Sequence, residues 1–181
     1  MRYIENVKLK DGRECCLRNA EEKDGRAVLD NFILTHLQTD NLASYADEIT
    51  LNVEEEKTFL KNKADSANEL ELIALVDGEI VGLAGMVSIG RRVKVRHRAS
   101  FGISIDQKYW GLGIGTAMLK ACIGCAREAG YEQLELEVVE GNKTAIAMYR
   151  NAGFIEYGRN PRGMKSRTAG YQETICMRME L

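Results

Sequence analysis

Between Gln107 and Thr116 the chain reads Gln-Lys-Tyr-Trp-Gly-Leu-Gly-Ile-Gly-Thr, with glycine at alternate positions 111, 113 and 115. A strand-like run, Phe101 to Ile105, precedes this stretch, and a helix-like run, Gly115 to Ala129, follows it. Because glycine lacks a Cβ, neighbouring backbone N–H groups can converge on one anion. The helix adds unpaired first-turn donors and the positive end of its dipole, so such a junction favours a phosphate or diphosphate. Spacing alone allows a plain glycine-rich turn equally well.

The remaining chain is read around that junction. Its 181 residues fit one domain, 1–181, and 45% hydrophobic residues suffice for a core. A formal charge of -2 argues against general nucleic-acid binding, which needs a basic footprint. No apolar run approaches the roughly 20 residues that cross a bilayer, and the first residues start no secretory signal, so a cytoplasmic protein is expected. Five cysteines make a disulfide framework unlikely in that setting. Cys122 and Cys125 form a C-x-x-C well inside the predicted helix, sharing a face with Met118 and Ala129, which points to core packing. No further Cys or His cluster completes a metal site, and none is expected.

Residues 3 to 18 read as a hairpin with Asp11-Gly12 as a two-residue turn. Val28, Leu29, Phe32, Ile33 and Leu37 recur at helical spacing from Glu21 to Leu37, with His36 a packed side chain beside them. Asn52 and Glu55 form a capping box before a second helix, and the connection from Thr39 to Leu51, with Tyr45 and Asp47, is a candidate substrate-side loop. Leu70 to Ile89 makes a hairpin turning at Asp77-Gly78. Arg92, Lys94, Arg96 and Arg98 alternate with Val93, Val95, His97 and Ala99, which predicts a strand with one wet face. Leu134, Leu136 and Val138 alternate with acids as another strand. Asn142 caps a short helix carrying Ala145, Met148, Tyr149 and Ala152 on one face until Gly153 stops it. Two closing strands flank an Arg- and Lys-rich loop. Strands and helices alternate in the middle and hairpins lie at the ends, predicting an α/β fold with a mixed sheet covered by helices.

Two phosphate motifs fail on residue identity. Gly115-Thr116-Ala117 lacks the lysine of a P-loop, and the third glycine comes one residue early for a dinucleotide fingerprint. Ile103-Ser104-Ile105 with Gly111 to Thr116, and Asn142-Lys-Thr-Ala145 through Tyr149 to Gly153-Phe154, instead resemble the GNAT superfamily of N-acetyltransferases, and the element order extends the resemblance along nearly the whole chain. The resemblance implies a mostly antiparallel sheet flanked by about four helices and an acetyl-coenzyme A-dependent acyltransferase without a metal. Ile103, Ser104 and Ile105 would pair with the pantetheine amides through their backbone. Gly111, Leu112, Gly113, Ile114, Gly115 and Thr116 would hold the diphosphate. Asn142 would bond near the coenzyme, and Tyr149 would stand beside its sulfur as the proton or hydrogen-bond donor.

Trp110 stands where that family often has Gln or Arg, and Ser100 where some relatives place a Glu, which leaves the base open. His97 is the nearest titratable candidate, with Glu135 and Glu137 behind it and water as the alternative. Acetyl-coenzyme A and an amine acceptor are the implied partners, without nucleic acid or membrane, and a homodimer is compatible with this reading. The acceptor is a small molecule or amino acid, or alternatively a protein N-terminus; a non-catalytic acyl-coenzyme A sensor is the second class. Arg159, Arg162, Lys165 and Arg167 suggest an acceptor bearing a carboxylate or phosphate.

Overall fold

Leu70, Leu72, Ala74 and Val76 alternate with Ile73 along one strand, and all five are buried. A strand buried on both faces must lie inside a sheet with helices on each side. The computed structural model, which describes residues 2–181, has that arrangement. Its strands are β1 (Ile4–Lys8), β2 (Glu14–Asn19), β3 (Leu70–Val76), β4 (Glu79–Ser88), β5 (Arg98–Ile105), β6 (Gln133–Val139), β7 (Ile155–Ser166) and β8 (Gly170–Glu180). The helices are α1 (Gly25–Gln38), α2 (Val53–Asp65), α3 (Ile114–Glu128) and α4 (Lys143–Ala152). One sheet runs β1-β2-β3-β4-β5-β6-β8-β7, antiparallel throughout except for the parallel pair β5 and β6.

The larger core lies on the α3 side, where Met118, Cys122 and Cys125 pack with Leu72, Ala74 and Leu134. On the other face Val28 of α1 and Leu60 of α2 close over Ile73 and Leu83. The cysteines are free and Cys122 and Cys125 are buried, in keeping with packing; burial pushes both thiols up, further from the reactive thiolate. Asn52 Oδ1 accepts from the N–H groups of Glu54 and Glu55 at 3.0 Å, completing the expected box at the start of α2. Among the described residues, no helix is long and apolar enough to cross a membrane.

Three local expectations are corrected. Leu9 N–H donates to the Arg13 carbonyl, so the first hairpin turns through three residues, with Gly12 left-handed at φ +93°, and not through two. Residues 91–97 are a run of turns: Val95 and Arg96 N–H both donate to the Arg92 carbonyl. Because Ser88 of β4 pairs with Ala99 of β5, the intervening chain must reverse direction, and that need overrides the two-residue alternation. Finally, Arg159, Arg162 and Lys165 lie on β7 itself, an edge strand whose charged side chains are solvated, and only 167–169 turn.

Glu71 of β3 is a polar insertion under α2. Its Oε2 lies 2.6 Å from where a Cβ on Gly85 would be, so the glycine of β4 makes its room. Burial pushes its carboxyl up from 4.5 to about 7, with Lys63 pulling it down and Glu56 pushing it up. The raised folded value means that the neutral form stabilises the fold fully below pH 4.5, and that this contribution is lost as pH rises through about 7. Glu71→Gln should therefore lie nearest the wild-type melting temperature at pH 5 and exceed it most at pH 8, by a few °C at the ~2–4 °C per kcal/mol usual for this size. Scanning calorimetry from pH 5 to 8 checks this, and parallel curves for the two proteins would contradict it.

Candidate active site

β5 and β6 pair only at their beginnings, Arg98–Ser100 against Gln133–Glu135, and separate beyond. β5 stays bonded to β4 as far as Ile105, which pairs with Gly82, so from Phe101 onward its other edge has no strand partner. Such an edge accepts a peptide-like partner. The separation opens a cavity of about 530 Å³. Its walls come from Phe101–Ile105 of β5, the glycine loop, the first two turns of α4, Glu137 and Val138 of β6, Met164 of β7, and the segment after α1.

At one end of this cavity the glycine loop meets α3. Gly111 and Gly113 adopt φ +76° and +100°, a region side chains rarely enter, and no heavy atom lies within 4 Å of either absent Cβ. Gly113 caps α3, and the first helical bond, Ala117 N–H to its carbonyl, leaves the N–H groups of Ile114, Gly115 and Thr116 unpaired within the helix. Open space against aligned donors fits a diphosphate. Gly115 has a different reason: a Cβ there would sit 3.1 Å from Met148 Sδ and 3.3 Å from Ile105 Cδ1, so the glycine lets α3, α4 and β5 meet. Leu112 departs from the expectation, since it packs toward the core and only the loop residues around it line the cavity. Trp110 Nε1 donates to the Ile105 carbonyl at 2.7 Å and carries no charge to the loop.

Tyr149 is buried and set by two rings, edge-on to Phe101 with centroids 6.3 Å apart and tilted to Phe154 at 5.9 Å. Burial pushes its phenol up to about 12, so the hydroxyl keeps its proton at any physiological pH. Asn142 Oδ1 accepts from Ala145 N–H at 3.2 Å, so its carbonyl caps α4 while its amide NH2 group remains for a ligand. Ile103, Ser104, Ile105, Asn142 and Tyr149 thus meet in one cavity, as the sequence suggested.

His97 does not join them. It ends the turn before β5, where its carbonyl accepts from the N–H groups of Glu132 and Gln133, six residues upstream of Ile103 and so roughly 20 Å away along a strand. Glu135 is also occupied elsewhere. Arg98 grips both its oxygens, Gln133 donates at 2.8 Å, and the guanidinium holds its carboxyl below the usual range. Glu137 is the acid that lines the cavity. It is solvent-exposed, and the buried Thr174 Oγ1 donates to its Oε1. Gly163 on the β7 bulge permits this, because a Cβ there would fall 1.9 Å from Thr174 Oγ1.

The segment after α1 lines the cavity through Thr39, Asn41, Leu42 and Ala43. Thr35 Oγ1 donates to Ser104 Oγ at 3.2 Å and Gln38 Nε2 to Asp106 Oδ1 at 2.8 Å, fastening the end of α1 to the end of β5. Further along, Arg167 in the β7–β8 turn reaches both Asp47 oxygens at 2.8 Å, stacks 4.1 Å over the Tyr45 ring, and gives its N–H to Tyr45 Oη at 2.7 Å. Arg167 therefore ties the β7–β8 turn to the loop after α1. Arg159 is paired with Glu156 and Glu173, while Arg162 and Lys165 lie over Tyr171, and none of the four lines the cavity. Lys10 and Thr174 had no sequence signal, because long-range contacts alone bring them to the site. Among the described residues, no group of three or more His, Cys, Asp or Glu side chains could hold a metal ion.

Comparison with known proteins identifies the family. The model of the acetyltransferase (GNAT) family matches residues 34–154. The L-amino acid N-acetyltransferase AaaT of Escherichia coli (strain K12) is 26% identical over 142 residues, covering 78% of this chain and 83% of that protein. The ribosomal protein bS18-alanine N-acetyltransferase of the same strain is 29% identical over 126 residues, covering 70% and 80%. A crystal structure of an acetyltransferase of the GNAT family from Streptococcus pneumoniae superposes with a TM-score of 0.88 at 29% identity, covering 92% of this chain and 99% of that one. With the family model spanning 121 of 181 positions (34 to 154 inclusive), the chain belongs to the GNAT family and is an N-acetyltransferase enzyme.

Proposed function

We propose that this chain, acting as one domain, transfers the acetyl group of acetyl-coenzyme A directly to a primary amine on a small molecule. The observation that carries this reading is that a single cavity is walled by the glycine cradle, the unpaired β5 edge, Tyr149 and Glu137. The N–H groups of Gly113 to Thr116 hold the diphosphate, the backbone of Ile103 to Ile105 takes the pantetheine amides, and the Asn142 amide NH2 group bonds beside them. When bound, the coenzyme supplies an activated acyl group.

The chain's own residues manage protons. A lysine-like amine near pKa 10.4 is almost wholly protonated at pH 7 and must lose a proton before it can attack. Glu137 accepts it. Thr174 occupies one carboxylate oxygen and fixes the side chain, while Oε2 has no hydrogen-bond partner among the described residues. Tyr149 Oη, holding its proton, donates a hydrogen bond where negative charge develops on the leaving sulfur. Cys122 and Cys125 are buried in α3 away from the cavity lining, so no cysteine relay is invoked.

A second reading, a protein N-terminus as acceptor, is favoured by one observation. Of the cavity-lining side chains only Lys10, in the β1–β2 turn beside the glycine loop, is cationic, and Glu137 is negative. A free α-carboxylate beside an amine at Glu137 meets that negative charge, whereas the first residue of a peptide carries a neutral carbonyl. The expectation of an anionic acceptor is accordingly dropped.

An acceptor panel of alanine, alaninamide, short alkylamines and alanine-initiated peptides, read by release of free coenzyme A, tests both. Alaninamide should exceed alanine by roughly tenfold or more in kcat/KM, as expected for two like charges ~8 Å apart at an effective dielectric of ~20. Peptides surpassing small amines would select the second reading, and coenzyme binding without thiol release from any amine would leave only a sensor.

Tyr149→Phe should keep fold and coenzyme affinity while lowering kcat roughly 10- to 1000-fold. Glu137→Gln should lose about 100-fold at pH 7, with the deficit narrowing as pH approaches the acceptor's own pKa and no base is needed. Wild-type kcat in the phenylalanine variant, or a pH-independent deficit in the glutamine variant, would remove that residue from the chemistry.

A further inference from the structure

Lys10 is the only Lys, Arg or His among the residues lining the cavity. It sits in the β1–β2 turn, about a hundred residues before the glycine loop in sequence. Two contacts hold that turn against the loop: Lys10 N–H donates to the Leu112 carbonyl at 3.1 Å, and the Arg13 guanidinium lies 5.2 Å from the centre of the Tyr109 ring. The Leu112 carbonyl is thereby satisfied on the side facing the hairpin. Gly111 and Gly113, on either side of Leu112, line the cavity beside Lys10.

The charges of this corner are distributed unevenly. Arg13 is paired with Asp11 at 2.7 Å and reaches Asp77 at 3.6 Å, so both nearby acids are engaged by it. Lys10 is exposed and forms no ion pair among the described residues. Trp110, at the loop position where the resemblance leads one to expect Gln or Arg, spends its N–H on Ile105. The glycine cradle therefore offers partial charges from N–H groups and a dipole, and the single full positive charge comes from a different part of the chain.

We propose that Lys10 is a phosphate-binding residue of the coenzyme site, supplying from the β1–β2 turn the cation that the glycine loop lacks. This rests on the reading of the cavity as an acetyl-coenzyme A site. The ligand chemistry is a phosphate oxygen, which coenzyme A carries both in its diphosphate and in its 3′-phosphate. A lysine ammonium suits either, being a point charge on a long stem.

Calorimetric affinities of the wild-type chain and Lys10→Met, which keeps side-chain length and the backbone bond to Leu112, should be measured for coenzyme A, 3′-dephospho-coenzyme A and pantetheine. Lys10→Met should bind coenzyme A roughly 5- to 30-fold more weakly, as expected for one charge-assisted contact, with the gap shrinking as salt is raised. Pantetheine, which has no phosphate, should bind both proteins alike. A gap that persists with the 3′-dephospho compound assigns Lys10 to the diphosphate, and one that vanishes assigns it to the 3′-phosphate. Equal coenzyme A affinity for the two proteins, or an equal loss for pantetheine, would overturn the proposal. Failure of the wild-type chain itself to bind coenzyme A would overturn the reading of the cavity and this assignment with it.

Discussion

β5 is a strand with one edge satisfied and the other left open, and the site depends on that asymmetry. Bonding to β4 along its whole length fixes where Ile103 to Ile105 lie, while divergence from β6 after three paired residues leaves their second edge without a strand partner. Backbone N–H and C=O groups away from water require partners, so an edge of this kind is a template for an extended, amide-bearing ligand. The same divergence makes the cavity's depth. Had the parallel ladder continued, Phe101 to Ile105 and Glu137 to Val139 would close on each other, and no cavity would lie between them.

What surrounds the split strand keeps it open and lines the cavity with charges of both signs. α4 enters over Phe101 through Tyr149, and Gly115 allows α3 to approach Met148 and Ile105 closely. Lys10 and the start of α3 bring positive charge to the lining, and among the described residues Glu137 is its one acid. In the proposed function the glycine loop and Lys10 take the polyanionic coenzyme and Glu137 the cationic amine, with the buried, protonated Tyr149 in the same cavity. Glu137 is exposed, and Thr174 supplies the order that packing would give a buried side chain.

Much of this was legible in the sequence, for local reasons. The glycine loop, the Asn52 box, the Asp77-Gly78 turn and the Asn142 cap each rest on interactions within a few residues, and each is found where its residues predict it. The helical spacing of Ala145, Met148 and Tyr149 put them on one face of α4, and all three line the cavity. What failed depended on tertiary direction. The alternation from Arg92 to Ala99 is a good strand pattern in isolation, but the reversal between β4 and β5 falls there, and it leaves His97 at the far end of β5. Glu135 and Glu137 are two residues apart and chemically identical; Arg98 occupies the first, and β6 carries the second past the point where the strands part. The basic residues from Arg159 to Arg167 suggested an anion site, yet their partners Asp47, Glu156, Glu173 and Tyr171 could not be assigned before the β7–β8 hairpin was known.

The central claim is that the unpaired edge of β5 and the start of α3 receive the coenzyme together. Amide hydrogen exchange followed residue by residue by NMR, with and without saturating coenzyme A, measures this directly. Ligand binding should slow exchange together at the cavity-facing amides between Phe101 and Ile105 and at Gly113 to Thr116, with little change in β1, where residues 4–8 lie outside the cavity lining. Protection confined to the glycine loop, with the 101–105 amides exchanging as in the free protein, would contradict the claim and place the pantetheine arm elsewhere.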